Sequence, residues 1–387
     1  MIHVAIDARL PDKGQGGVQQ VIRSLAEGFR LNPNSEIMRS WIVYKGTQWW
    51  KGVFPPEDTL IELTPPFGKA SIMIANRLPK TTSRLFPLLS KLITQKPQFD
   101  LILSSHNIDL VHMPFQDGFV TEFPYIYHPH DLQHEYFPEY FTKSQLQHRN
   151  STWRSLAVNA TLVMAATSLV REDLISKWHI ESQKIKVVPI PPPTRPVPTN
   201  RNGRYAHLDY FLYPAVFWRH KNHIALVEAM RILMLEHPNV HLVFVGSTGP
   251  EEKRIRKQVA RYRLGSNIHF GGHIPDSEYG LILKESLCVV IPSLFEALSL
   301  TVADAKYFGI PVICSDLPFF NFQPSDDMFF FNPHDENDIA KKMKTEVTRI
   351  RVTDLRFDNQ REVQHQEDLK NLSFQFSELY LNLTANQ

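Results

Sequence analysis

Cysteine is almost missing from this chain: two of 387 residues carry a thiol, and both lie in apolar runs, Cys288 in LCVVIP and Cys314 in PVICSD. Two thiols cannot staple a chain of this length, which excludes a disulfide-built secreted domain and leaves buried thiols in a reducing compartment. An imbalance of charge is missing too. Forty-two basic against forty acidic side chains leave +2, so the overall charge gives no footprint for a nucleic-acid partner. No apolar run approaches the length of a membrane span, and the start, MIHVAIDARL, shows neither a basic leader nor a small-residue cleavage site. Short repeats and low-complexity tracts are absent. What is present is ordinary globular composition, 43% hydrophobic and 21% charged, in a chain long enough for two domains at roughly 100 to 200 residues each. A cytoplasmic location is the expectation.

The clearest punctuation is PIPPPTRPVPTNRNG, residues 189 to 203, in which six of fifteen residues are proline. Such a stretch lacks the amide donors that a strand or helix interior needs, and it reads as a semi-rigid linker over 191 to 203. On either side, short apolar runs alternate with longer segments of helical spacing. The runs before the linker are HVAIDA, WIVY, LILS, LVHM, YIYH and TLVMAA. Those after it are YFLYP, HLVFVG, IHFGG, CVVIP, PVICS and MFFF. Runs that are apolar at every position suit strands covered on both faces, and their alternation with helices implies parallel sheets. The expected fold is therefore α/β, with two doubly wound Rossmann-like domains at 1–190 and 204–360 and a final helix over 361–387 packing back on the first.

Doubly wound sheets bind ligands at the carboxyl ends of their strands, so the residues just after each run are the candidates. After the first run, Gly14, Gly16 and Gly17 let the backbone approach a ligand and open a helix whose amides suit an anion. The spacing matches neither G-x-G-x-x-G nor a Walker loop, and a plain turn is the alternative. The fifth run ends in His128-Pro-His130-Asp131-Leu-Gln-His134-Glu135. His130 and His134 have helical spacing, but Pro129 disfavours a helix start there, so a sugar-contacting or acid–base role is preferred to a metal. Structural loop histidines are the alternative for His128 and His134.

In the second half, Arg219 and Lys221 follow a strand and precede a helix, a place where two cations suit a diphosphate. Gly246 marks a close-approach loop, and the backbone around Gly272, His273 and Ile274 can meet the edge of a base. In PSLFEALSLTVADAKYFGIPVICSD, residues 292 to 316, Glu296 stands near a helix start. The amides of Ser299, Leu300 and Thr301 are free to hold phosphate, and Asp304 lies about two turns along the helix.

These residues resemble the retaining glycosyltransferases of family 4, which have the two-domain GT-B fold with an interdomain cleft. The resemblance runs from the glycine loop through His130-Asp131 and Lys221-Asn222 to residues 292–316, which are similar to the family's P-S-x-x-E-G-F-G-L-x-x-x-E-A-x-x-x-G-x-P-V-I-x-S signature. It implies that Glu296 contacts the donor sugar's hydroxyls, that Lys221 holds the diphosphate, and that His130 lies near the transferred sugar. It implies further that Gly16-Gly17 face the donor phosphates and that Asp304 takes the place of the glutamate gripping the ribose. This sequence departs from the pattern at Asp304, at Ala297-Leu298-Ser299 in place of Gly-Phe-Gly, and at Val216 in place of an arginine, for which Arg219 is the nearby substitute.

The implied reaction moves a hexose, glucose from a UDP-sugar in the first instance, to a hydroxyl of a glycan or lipid-linked saccharide. Configuration is retained, and no metal or other cofactor takes part. A nucleotide-sugar 2-epimerase-like enzyme of the same fold and a non-catalytic sugar-binding scaffold are the alternatives. Residues 69–99 carry six basic and no acidic side chains, with Leu85, Leu88, Leu89 and Leu92 at helical spacing. That composition allows peripheral contact with an anionic membrane face, against a core-facing helix with a basic rim.

Overall fold

The computed structural model describes residues 1–12, 16–64, 96–197, 202–321, 327–350 and 359–385. The chain divides into two compact units, Met1–Pro189 with Lys370–Gln387, and Ile190–Leu369. The basic stretch 69–99 lies outside the described residues except for its last four, which open the helix Lys96–Ser105.

The first unit contains β1 (Ile2–Asp7), β2 (Ile37–Tyr44), β3 (Thr59–Leu63), β4 (Leu110–Met113), β5 (Tyr125–Tyr127), β6 (Leu162–Ala165) and β7 (Ile185–Val187). They form one sheet in the order β3-β2-β1-β4-β5-β6-β7, with every pairing parallel. The second unit contains β8 (Asp209–Pro214), β9 (Val240–Val245), β10 (Ile268–Gly272), β11 (Cys288–Ile291), β12 (Val312–Ser315) and β13 (Met328–Phe331). Their order is β10-β9-β8-β11-β12-β13, again parallel throughout. Both sheets therefore have the doubly wound order, which reverses between β1 and β4 in one unit and between β8 and β11 in the other. Central strands such as LVHM and CVVI are buried at every position, which is why their sequences show no polar alternation. Both cysteines are free thiols within this core.

One expected strand is a helix. LILS, read as a strand, belongs to Lys96–Ser105, where Leu103 is 1% exposed while Leu101 is 71% exposed. A run of three apolar residues does not distinguish a buried strand from one turn of a half-buried helix. Two strands were missed, Thr59–Leu63 and Ile185–Val187, which lie at the two edges of the sheet, where TLIEL alternates and IKV is too short to stand out. The last helix starts at Asn359 and runs to Ala385. No described helix is long and apolar enough to cross a membrane.

Part of that last helix closes the core of the first unit through an uncommon polar contact. His112 on β4 and His128 after β5 meet Nε2 to Nε2 at 2.8 Å, and His112 Nδ1 lies 2.6 Å from the Tyr380 hydroxyl. Phe376 stacks against His112 at 4.8 Å, and all four side chains are buried. A hydrogen bond between two imidazoles needs one ring to accept, so both cannot be charged. Burial lowers the His112 pKa to about 3 and that of His128 well below the ordinary value.

The unfolded chain takes up a proton at each histidine below about pH 6.5, whereas the folded chain resists until far lower. Stability is thus full above that value and falls with pH down towards the folded pKa. From about pH 6.5 to 5.5 the loss assignable to His112 alone is about 1 kcal/mol. Nuclear magnetic resonance of the His112 ring should show no titration across that interval, and a midpoint near the ordinary value would contradict the buried neutral chain.

Candidate functional site

The strand order places the ligand crevice of the second unit beyond the carboxyl ends of β8 and β11, where the sheet reverses. The loops leaving those two strands carry the residues singled out from the sequence. After β8, the chain passes Ala215–Trp218 and makes a short turn, Arg219–Lys221. Asn222 then adopts a left-handed conformation (φ 54°) and donates from Nδ2 to the Pro333 carbonyl at 2.9 Å, before the helix His223–Leu233 begins. After β11, Pro292–Ser299 lead into the helix Leu300–Phe308.

The two loops are joined by charge. Lys221 Nζ donates to Glu296 Oε1 at 2.6 Å, and the Ser293 hydroxyl donates to the same oxygen at 2.6 Å. Backbone bonds reinforce the joint: Leu294 N–H donates to the His220 carbonyl at 2.7 Å, and the Tyr213 hydroxyl donates to the Lys221 carbonyl at 2.8 Å. Burial, with the nearby Glu296 carboxylate second, pushes the Tyr213 pKa well up, so this phenol stays a donor. The Glu296 side chain is 7% exposed and that of Lys221 23%. A partly exposed ammonium held beside a nearly buried carboxylate can turn to an arriving anion while its partner remains in place.

The helix Leu300–Phe308 supplies a second anion-seeking element. Its cap, Ser299, makes no side-chain capping bond, and the first described amides to bond back are those of Val302 and Ala303, both to the Ser299 carbonyl. The amides of Leu300 and Thr301 precede them and have no described acceptor, as the start of a helix requires. Gly246 shows why that position excludes a side chain: a Cβ there would lie 2.5 Å from the Ala215 carbonyl oxygen. Its amide bonds the Gly272 carbonyl at 2.8 Å, tying the ends of β9 and β10 to the loop after β8. His273 is exposed and the Ile274 side chain is buried. Arg219 is exposed on the same turn as Lys221.

Asp304, for which the resemblance implies the ribose, is held by an arginine of the proline-rich segment. It is 2% exposed, and both oxygens accept from Arg195, Nε at 3.0 Å and Nη2 at 3.1 Å. Arg195 also donates to Asp276 at 3.2 Å and lies over the Tyr279 ring at 5.2 Å. Burial opposes its charge, but the Asp304 carboxylate outweighs that, so its pKa is raised. The proline-rich segment is thereby anchored to the second unit. Sequence reasoning missed this pair because Arg195 and Asp304 are far apart in the chain, and the only local sign was one arginine among prolines.

In the first unit, Gly16 opens the helix Gly16–Leu31 with φ 40°, and Gly17 follows it with nothing within 4 Å of a would-be Cβ. Their expected neighbour Gly14 lies outside the described residues. His130 adopts φ 59°, an unusual conformation for a residue with a Cβ, and its Nε2 is buried without a hydrogen-bond partner. Burial lowers its pKa, so a neutral ring faces any ligand there. The helix Gln133–Tyr136 starts beyond it, so His130 and His134 do not share a helix face. The second unit thus gathers Lys221, Glu296 and the Leu300–Thr301 amides at one switch point, while Gly16, Gly17 and His130 belong to the first.

Known proteins share this architecture. The family description "Glycosyltransferase Family 4" matches residues 15–191, and "Glycosyl transferases group 1" matches residues 199–348. O-antigen chain mannosyltransferase B of Escherichia coli is 22% identical over 197 residues, 49% of this chain and 52% of that protein. The match spans about half the length of the curated relatives. Among solved structures, sucrose-phosphate synthase of Thermosynechococcus elongatus aligns over 100% of both chains at TM-score 0.68 and 18% identity. The Anabaena protein HepE in complex with UDP and glucose aligns over 98% of this chain and 99% of its own, at TM-score 0.68 and 15% identity. At such identities the likeness fixes the fold, GT-B with two Rossmann-like domains.

The Arg195–Asp304 pair makes a prediction independent of any ligand. Removing one partner strands a buried charge, so Arg195→Met or Asp304→Asn should each lower the stability of the second unit by about 3 kcal/mol. The double variant should lose much less than the sum. Additive losses in denaturant unfolding would show that the pair is not coupled.

Proposed function

The chain belongs to the family 4 and group 1 glycosyltransferases, and from that membership we propose that it moves a hexose from a nucleoside-diphosphate sugar to a hydroxyl of a glycan, with retention at the anomeric carbon. The observation that carries the reading is the contact of Lys221 with Glu296 at 2.6 Å across the switch point of the second unit. It gathers a cation for a diphosphate and a carboxylate for sugar hydroxyls where the fold binds its ligands.

As the donor bond breaks, negative charge grows on the leaving diphosphate. Lys221, the first amides of Leu300–Phe308 and the nearby Arg219 are suited to stabilise it. Glu296 Oε1 is occupied by Lys221 and Ser293, and its other oxygen accepts from donor hydroxyls. By the same resemblance, His130, neutral and with an unpartnered Nε2, meets the transferred sugar. The backbone turn at Gly272–Ile274 takes the base, and Gly16-Gly17 line the donor phosphates. Gly246 acts through the loops it brings together.

Two lines support a hexose: two of the relatives are named O-antigen chain mannosyltransferases, and the Anabaena neighbour was solved with UDP and glucose and with UDP-glucose. The donor class follows from a thermal-shift panel including UDP-glucose and GDP-mannose, since a ligand at 100 times its dissociation constant adds about 2.7 kcal/mol. Product analysis with donor alone and with a glycan acceptor separates a transferase from an epimerase-like enzyme or a binding scaffold.

Glu296→Gln should lower kcat by about two orders of magnitude with little change in nucleoside diphosphate affinity. Lys221→Ala should weaken nucleoside diphosphate binding about tenfold or more while leaving nucleoside binding unchanged. Equal effects of both substitutions on nucleotide affinity in calorimetry would place Glu296 against the wrong half of the donor.

A further inference from the structure

The loop after β5 leaves several polar groups without partners. Gln133 is 8% exposed, and its Nε2 has no hydrogen-bond partner; the same is true of buried Nη1 of Arg149 and buried Nε2 of His130. His134, 2% exposed, lies among Phe141, Trp153 and Trp178 at ring distances of 6.4, 6.1 and 5.9 Å. Arg149 shares two of those rings, with its guanidinium 4.3 Å from Phe141 and 4.1 Å from Trp153. Arg149 opens a widened π-helical turn, Arg149–Trp153, inserted between the helices Lys143–His148 and Arg154–Asn159. Such turns recur where a helix must re-aim side chains at a ligand.

The nearby carboxylates have other partners. Asp117 Oδ1 accepts from Trp153 Nε1 at 2.8 Å and His148 Nε2 at 3.2 Å. Asp131 Oδ1 accepts from the Gln133 amide at 3.0 Å, and Glu135 Oε1 from Trp178 Nε1 at 3.1 Å. No described carboxylate forms an ion pair with Arg149, although Asp131 and Asp117 lie within its field, and burial lowers its pKa. Arg149 is half-buried, and a partly desolvated guanidinium whose Nη1 has no hydrogen-bond acceptor is stabilised by an anion that supplies one.

We propose that Arg149 and Gln133 form a second ligand site in the first unit that takes an oxyanion, a carboxylate or phosphate carried by the acceptor. The donor chemistry decides the sign of the ligand. Arg Nη1 and Gln Nε2 only donate, so their missing partner must accept, and the guanidinium selects one that is negative. Assigning the oxyanion to the acceptor rests on the glycosyltransferase reading; the existence of the site does not.

Calorimetry at low ionic strength with inorganic phosphate, glucose 6-phosphate, glucuronate and neutral glucose tests it, in the native protein and in Lys221→Ala. Lys221 is the cation assigned to the donor, so anion binding that persists in Lys221→Ala belongs to the new site, whether or not the donor reading stands. One or more anions should bind in the millimolar range and glucose should not. Preference between glucuronate and glucose 6-phosphate identifies the group carried. Arg149→Met keeps the stem against Phe141 and Trp153, and should weaken anion binding about tenfold or more. Arg149→Lys should retain part of it, and UDP affinity should be unchanged in both. Should Arg149→Met fail to fold, Gln133→Leu provides the same comparison. Absence of anion binding to the native protein, binding lost in Lys221→Ala, or equal binding by the Arg149 and Gln133 variants would overturn the proposal.

Discussion

The contact between Lys221 and Glu296 closes the point where the second sheet changes direction, and the rest of the proposed donor site is arranged around it. Strand order creates a gap between the loops that leave β8 and β11, and a gap lined by backbone alone would fill with water. Here a cation from one loop and a carboxylate from the other cross it at 2.6 Å, with Ser293 and Tyr213 continuing the network into the core. The pair is useful because its two members differ in burial. Glu296 is fixed by two donors, while Lys221 keeps enough exposure to exchange one anionic partner for another.

Two further constraints set the scaffold. Gly246 lets the end of β9 approach the Ala215 carbonyl more closely than any side chain permits, which holds the loop carrying Arg219 and Lys221 against the sheet. Arg195 reaches from the proline-rich segment to Asp304 and fastens that segment to the helix whose first amides point at the site. Breaking either would move Lys221 or the helix start without touching a ligand. In the first unit, the buried chain from Tyr380 through His112 to His128 places a stiff polar core behind the loop that carries His130.

Much of this was legible in the sequence because it depends on local pattern. Strands buried on both faces leave continuous apolar runs, so the positions of Lys221, Glu296 and His130 in the loops after β8, β11 and β5 were legible from the sequence, while the roles proposed for them came from the family resemblance. The LILS segment failed for a physical reason: its one buried residue, Leu103, serves a helix as well as a strand. Arg195 with Asp304, Arg149 with His134, and His112 with Tyr380 were invisible because each partnership joins residues distant in the chain. No spacing rule connects them. The π-helical turn at Arg149 likewise has no local signature beyond an ordinary helical composition.

Amide hydrogen exchange with and without a saturating nucleoside diphosphate tests the central claim most directly, since it reads backbone protection at each loop separately. The account predicts that UDP, or the diphosphate selected by the thermal panel, slows exchange in residues 219–222 and at the Leu300 and Thr301 amides, and that Lys221→Ala abolishes this protection. Binding that leaves those amides unprotected, or that protects them equally without Lys221, would contradict it.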